Sequence, residues 1–341
     1  MNSIERILAT LTGEPVDRRT VAPVLSLYGA RLTSCPLQTY YSDPAAYARG
    51  QAAVLMTFQP DVLFGPFDFP GVGAAFGSEL HWMPEYAPNI RRPGIATLAD
   101  WDKFVLPDPE THPRLLYLRE AIQRMAEEHR GQVAIAACMM PPIDLPAMIM
   151  GMDTWMETVL FDRDGANRVM EKLIPFFVKL TNGLFAAGAT FIAMPCGFTS
   201  PAIVTREITQ NFGRPILDRA LAQLRGPVLV HHIGAPMLAH LDLLTGLPNV
   251  AGFVMDERDD LAQSRQIVGP GPVLFNGPMS PRLPGLTADQ VAQECRTMLE
   301  NRRNDTRFAL CTGGPDVPWH TPPENIHALR KTAVDFRGNA A

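Results

Sequence analysis

The residues most able to do chemistry sit in GPVLVHHIGAP, positions 226–236, where a Val/Leu run ends in His231 and His232 before Gly234 and Pro236. A neutral imidazole serves as a metal ligand or as a general base. Two of them at the end of an apolar segment are poor core material, because each ring needs polar partners when buried. Neighbouring strand residues point to opposite faces, so only one of the pair faces a cavity from a regular strand. Carboxyl and amide groups fall at similar places: Asp68 ends DVLFGPFD, Asp256 ends VAGFVMD, and Asn276 lies in PVLFNGP. With a histidine they form a set able to orient or protonate a small substrate. Asp256 and Asn276 have an equal claim as caps of whatever follows them.

Thiols occupy three more segment ends: Cys138 in VAIAAC, Cys196 in TFIAMPC and Cys311 in RFALCTG. His231, Cys196 and Cys311 would make a soft N/S donor set for zinc with a fourth position open. Taken singly, each thiol is better explained as a small buried hydrophobe. Cys35 and Cys295 fall in a loop and a helical pattern and carry no site reading. Tyr28, Phe67 and Met139 flank the same ends. Together with Cys138 and Cys196 they are the expected substrate-binding wall.

These residues need elements to hold them. Eight apolar runs of strand length recur along the chain, at 20–28, 61–68, 133–138, 190–196, 227–233, 250–256, 272–278 and 307–313. They are nearly continuously apolar, as parallel strands covered on both faces are. Helical patterns alternate with them. DPAAYARGQAAVLMTF opens on Asp-Pro, PRLLYLREAIQRMAEEHRG keeps a 3.6-residue period up to a Gly, and Thr287 precedes Gln290 at capping-box spacing. Eight strands alternating with helices predict an α/β (β/α)8 TIM barrel, whose chemistry collects at the C-terminal strand ends. The predicted organisation is one domain over 1–341, with an N-terminal helical extension and an insertion around 69–132.

The 341 residues are 46% hydrophobic, enough for a large core, and the net charge of -5 argues against nucleic-acid binding. No apolar run reaches the ~18 residues of a membrane span. The N-terminus MNSIERILATLTGEPVDRR mixes charges without a long apolar core and is not expected to be a secretory signal. Five cysteines without a CxxC suit free thiols in a reducing, cytoplasmic setting.

The order of several motifs resembles the uroporphyrinogen decarboxylase superfamily, and within it the corrinoid-dependent methyltransferases. The opening ERILATLTGEPVDRRTVAPVLSLYG, the helix-strand step YSDPAAYARGQAAVLMTFQPDVLFGPFD, LFAAGATFIAMP, GPVLVHHIG, and the closing CTGGPDVPWHTPPENIHAL carry the likeness across nearly the whole chain. The resemblance implies a TIM barrel that meets the flat face of a cobalamin (corrinoid) borne by a partner protein, and a zinc held by His-x-Cys and a distant Cys. Here Ile233 and Pro315 stand in the two cysteine slots. Either Cys196, Cys311 or Asp256 rebuild a zinc site with His231, or zinc is not used, and the second is favoured. The expected function is then methyl transfer, including demethylation, between a corrinoid and a small methoxylated, methylamine or thiol compound. Two readings stand beside it: a uroporphyrinogen decarboxylase-like lyase on another carboxylated substrate, with Asp68 in the catalytic-aspartate slot, and a non-catalytic tetrapyrrole- or corrinoid-binding barrel. True uroporphyrinogen decarboxylation fits poorly, since only Arg31 remains where the decarboxylase has an arginine-bearing segment. A homodimer is compatible with the resemblance.

Overall fold

The computed structural model describes residues 1–336. Eight parallel strands form a nearly closed (β/α)8 barrel: β1 (Val21–Ala22), β2 (Val62–Phe64), β5 (Ala134–Cys138), β6 (Phe191–Pro195), β7 (Val228–His231), β8 (Val250–Val254), β9 (Val273–Asn276) and β10 (Phe308–Cys311). The antiparallel hairpin β3 (Glu79–His81) and β4 (Asn89–Arg92) lies in the connection between β2 and β5. All eight predicted strands are present, each shorter than its apolar run. The first is two residues long, because Leu25–Leu27 turn into the helix Tyr28–Leu32. Apolar residues continue past the strand ends into loops that are themselves buried, so hydrophobicity alone overshoots the ladders.

Alternation along the strands builds two cores. Ala136, Cys138, Leu229, Val254, Phe275 and Cys311 fill the barrel interior. Val228, Val230, Ile192, Met194, Phe253 and Leu310 pack outward against the helices. This double burial explains the apolar runs without polar alternation. Glycine is required where β9 leaves the sheet, because a Cβ on Gly277 would lie 1.6 Å from the Cys311 carbonyl oxygen.

The helix Ser3–Thr12 closes the bottom of the barrel. Asn2 and Glu5 form a capping box at its start, Gly13 ends it at φ +77°, and Ile7 enters the interior core. β1 and β2 share no regular ladder; Asp61 joins them. Its backbone N–H donates to the Val21 carbonyl at 2.9 Å, and its Oδ2 accepts the Val21 N–H at 2.8 Å. The carboxylate, 0% exposed, also accepts Arg6 Nη1 at 2.6 Å and Arg18 Nη1 at 2.7 Å. No helix among the described residues is long and apolar enough to cross a membrane.

Candidate active site

The paired histidines have different jobs. Leu229 is in the interior core, so His231, two residues on along β7, shares the inward face. His231 is partly exposed, and its Nδ1–H donates to the His232 carbonyl. That bond fixes the tautomer and leaves Nε2 with a free lone pair. Burial lowers its pKa to about 4, so the ring is neutral at pH 7. His232 is 3% exposed and stacks on His231, with ring centroids 4.7 Å apart and planes 13° from parallel. Its Nε2 accepts the Gly314 N–H at 3.0 Å. Its Nδ1 lies 3.0 Å from the Gly234 N–H and 3.4 Å from Asp256 Oδ2. Burial, then the neighbouring His231, hold its pKa down as well. His232 thus ties β7 to the loop after β10, and His231 presents a neutral nitrogen to the mouth.

Asp256 and Asn276 meet at the ends of β8 and β9. Asn276 Nδ2 donates to the Met255 and Asp256 carbonyls at 3.0 and 3.1 Å. Asp256 is 0% exposed and accepts Arg258 Nε at 2.6 Å and Nη2 at 2.9 Å. Burial alone would raise its pKa, but the Arg258 guanidinium overcomes it and holds the carboxylate below its ordinary range.

The remaining predicted residues divide by face. Asp68 caps the helix Phe69–Ala75, with Oδ1 accepting the Gly71 N–H at 2.9 Å; it is 3% exposed, and burial pushes its pKa up to about 6. Phe67 packs on Phe69 with centroids 4.6 Å apart, and its N–H donates to Ser26 Oγ at 3.0 Å. Tyr28 is locked in the wall: its hydroxyl donates to the Thr321 carbonyl at 2.7 Å and accepts Arg31 Nη1 at 2.6 Å. Cys138 and Cys311 face the barrel interior. Met139 and Cys196 lie in the outer core, and the Cys196 thiol points at the Met194 carbonyl, 3.5 Å away.

This placement does not bring the possible ligand set of His231, Cys196 and Cys311 together. Cys196 and Cys311 lie on opposite faces of the sheet, and among the described residues no three His, Cys, Asp or Glu side chains converge as a ligand set. Ile233 and Pro315 are both exposed and offer no donor atoms. Burial raises the Cys138, Cys196 and Cys311 thiols far above their ordinary range, so all three are held as neutral thiols. The donor set does not fit zinc.

Three mouth residues escaped the sequence reading. Asp144 clips the exit of β6, its Oδ1 accepting the Gly197 and Phe198 N–H groups at 2.7 and 3.0 Å; burial pushes it up to about 7. Asp316 lies in the loop after β10, its Oδ2 accepting the Leu27 N–H at 2.5 Å and its Oδ1 buried without a partner; burial pushes it up to about 8. Tyr41 is 0% exposed with its hydroxyl unpartnered, and it feels the charges of Asp316 and Asp68. Asp144 in PPIDLP and Asp316 in GGPDVP read as turn formers, and only their burial distinguishes them from other loop aspartates.

Eight parallel strands with a neutral imidazole and buried carboxyls at their C-terminal ends are the arrangement that barrel enzymes use. Comparison with known proteins names the family. The uroporphyrinogen decarboxylase (URO-D) family profile matches residues 2–336, and the chain belongs to that family. It is similar to the methylcobamide:CoM methyltransferase MtaA of Methanosarcina barkeri, 23% identical over 95% of each chain. It is also similar to the uroporphyrinogen decarboxylase of Aliivibrio salmonicida, 23% identical over 75% of this chain and 76% of that one. Among solved structures, a methyltransferase from Methanosarcina mazei superposes over 98% of both chains with a TM-score of 0.84 at 18% identity, a likeness of fold.

Proposed function

We propose that this protein transfers a methyl group between a small methylated compound and a corrinoid presented by a partner protein. The observation that carries the reading is the likeness to the methylcobamide:CoM methyltransferase along 95% of both chains. The mouth residues favour one direction. Without a thiolate-activating donor set, the favoured half-reaction is removal of a methyl group from a donor, with the corrinoid as co-substrate. His231 Nε2, neutral and uncommitted, accepts a hydrogen bond from the donor and orients it, while Asp256 and Asn276 fix the floor beside it.

Uroporphyrinogen decarboxylation is the weaker reading. A polycarboxylate needs free guanidinium groups, and Arg31 spends its Nη1 on Tyr28 Oη and on the Trp319 and Thr321 carbonyls.

The test is to mix the protein with chemically reduced cobalamin and, separately, 2-methoxyphenol, trimethylamine or methanol, and to follow the corrinoid spectrum. Methylcobalamin with 2-mercaptoethanesulfonate tests the opposite direction. Formation of methylcobalamin with one donor class is expected. No spectral change with any donor, in either direction, would sink the proposal.

A further inference from the structure

We propose that the underside of the barrel carries a second binding site, for a small organic polyphosphate. The inference does not depend on the methyl-transfer reading. A cavity of about 820 Å³ opens between the helices Pro113–His129 and Arg163–Ala186. That volume lies within the roughly 300–1,000 Å³ of small-molecule sites. Val133, Thr190 and Arg225, which line it, stand just before β5, β6 and β7. It is therefore at the N-terminal strand ends, away from His231. β5 is 5 residues long, so at about 3.3 Å per residue one strand length, roughly 16 Å, separates the cavity from the mouth.

The chain as a whole is acidic, at -5, yet cations outnumber carboxylates in this lining. Lys179 is spent on Asp108 and Glu110, at 2.8 and 2.9 Å. Glu127 accepts Gln123 Nε2 at 2.9 Å. The guanidiniums of Arg119, Arg130 and Arg225 meet no protein acceptor among the described residues. Arg130 and Arg225 are exposed, and Arg130 also follows the last turn of its helix, where the dipole favours a cation. Arg119 has neither explanation. It is partly buried and sits about three turns before that helix ends. A Cβ on Gly183 would meet only the Arg119 Cδ, at 4.0 Å, so the space beside this stem is open rather than packed. His129 forms part of the wall at 8% exposure, and its Nε2 has no partner either. Buried polar groups are ordinarily paired.

The free cations are held in place by their backbones. Arg225 N–H donates to Asn182 Oδ1 at 2.9 Å, and Asn182 Nδ2 donates to the Gln223 carbonyl at 3.0 Å. Asn2 Nδ2 donates to the carbonyl of Gly131, next to Arg130, at 3.3 Å. Each guanidinium is a planar fork that matches phosphate oxygens two at a time. The three come from separate segments, so linked phosphates engage more of them than a lone anion does. Ala126, Val133 and Leu180 add apolar surface to the lining for an organic body.

The experiment is calorimetric titration of the whole protein with ATP and, separately, with tripolyphosphate and citrate. ATP should bind saturably, one per chain, and tripolyphosphate more weakly because it lacks the organic body. Binding of citrate with neither phosphate compound overturns the ligand class. Arg119→Gln should weaken ATP about tenfold or more, the size expected for lost hydrogen bonds to a charged group. Arg119→Lys keeps the charge without the fork and should fall between. Thermal melts check that each variant folds; should Arg119→Gln not fold, the exposed Arg225→Gln reads the same loss. Arg124 is exposed on the same helix but outside the cavity lining, and Arg124→Gln should bind like wild type. An equal loss there reduces the binding to diffuse charge attraction and overturns the site. The place is read by NMR of isotope-labelled histidine: ATP should shift the His129 ring signal, assigned through His129→Gln, and leave that of His231. A shift at His231 alone puts the ligand at the mouth and overturns the proposal, as does no saturable binding up to about 1 mM ATP. Neither corrinoid nor methyl donor enters these titrations, so their outcome is separate from that of the methyl-transfer test.

Discussion

Asp61 offers the sharpest test of how the barrel holds its site. It closes the seam where β1 and β2 share no ladder, and it does so from 0% exposure. Replacing it with alanine removes the acceptor of the Val21 N–H at 2.8 Å and of the guanidinium groups of Arg6 at 2.6 Å and Arg18 at 2.7 Å. Arg6 keeps Asp17, bound at 2.7 Å, but Arg18 keeps only the Arg19 carbonyl. Breaking a buried ion pair from one side costs about 3–5 kcal/mol. An orphaned buried N–H alone costs about 1–3 kcal/mol; the two losses overlap, so about 4 kcal/mol is expected for Asp61→Ala. That is a large share of the roughly 5–15 kcal/mol by which folded domains are stable. Asp61→Asn keeps an acceptor for Val21 but loses the charge, and should fall between the two. Arg18→Ala leaves the Arg6–Asp61 pair intact but removes two hydrogen bonds to the carboxylate, and should cost about 1.5–3 kcal/mol, the usual range for hydrogen bonding to a charged group. Urea unfolding followed by far-UV circular dichroism gives all four stabilities at 25 °C. Because the seam lies at the bottom of the barrel and the chemistry at the top, folded Asp61→Asn should keep the wild-type turnover rate. A loss under about 1 kcal/mol for Asp61→Ala, below the range for any buried pair, would refute the closure argument.

Other expectations follow from the same geometry. His232→Ala should destabilise the protein by about 2 kcal/mol through the unpaired Gly314 N–H, whereas His231→Ala should lower turnover with a smaller stability change; thermal melts beside the cobalamin assay separate the two. Cys196→Ala and Cys311→Ala should leave the zinc content of the purified protein unchanged, as elemental analysis can read. A protein whose stoichiometric zinc depends on either thiol would contradict the opposite-face placement. Stability should also fall as pH rises from about 6.5 to about 8.5. Over that window the unfolded carboxyls, near 3.8, are already ionised, while the folded protein gives up its Asp144 proton near 7 and its Asp316 proton near 8, so the decline levels off at the upper end. The native state then binds more protons, and stability declines by up to about 1.4 kcal/mol per pH unit for each titrating group. His231, lowered to about 4 from 6.5, acts the other way. The unfolded ring takes up the proton first, so its contribution is present above about 6.5 and lost as pH falls toward 4. Urea midpoints at pH 6.5 and 8.5 for wild type and Asp316→Asn check the sign: the variant should show the shallower decline.

The sequence by itself determined the barrel, because eight continuously apolar segments between amphipathic helices have one common way to bury both faces. It also determined which strand tips carry titratable groups, since a polar residue interrupting such a run stands out. The division of labour between His231 and His232 came only from tertiary structure. Alternation says that one must turn inward, but the outcome rests on Leu229 facing the interior and on Gly314, 82 residues on in the chain, meeting the other ring. Cys196 and Cys311 look alike as strand-end thiols; the sheet puts one on each face, and a single-residue difference in where a strand ends is enough to do that. Asp316 and Asp144 were invisible for a simpler reason. A loop aspartate beside glycine or proline is ordinary until distant backbone closes over it, and burial, which shifts its proton affinity and so its chemistry, is a property of the folded neighbourhood rather than of the local sequence.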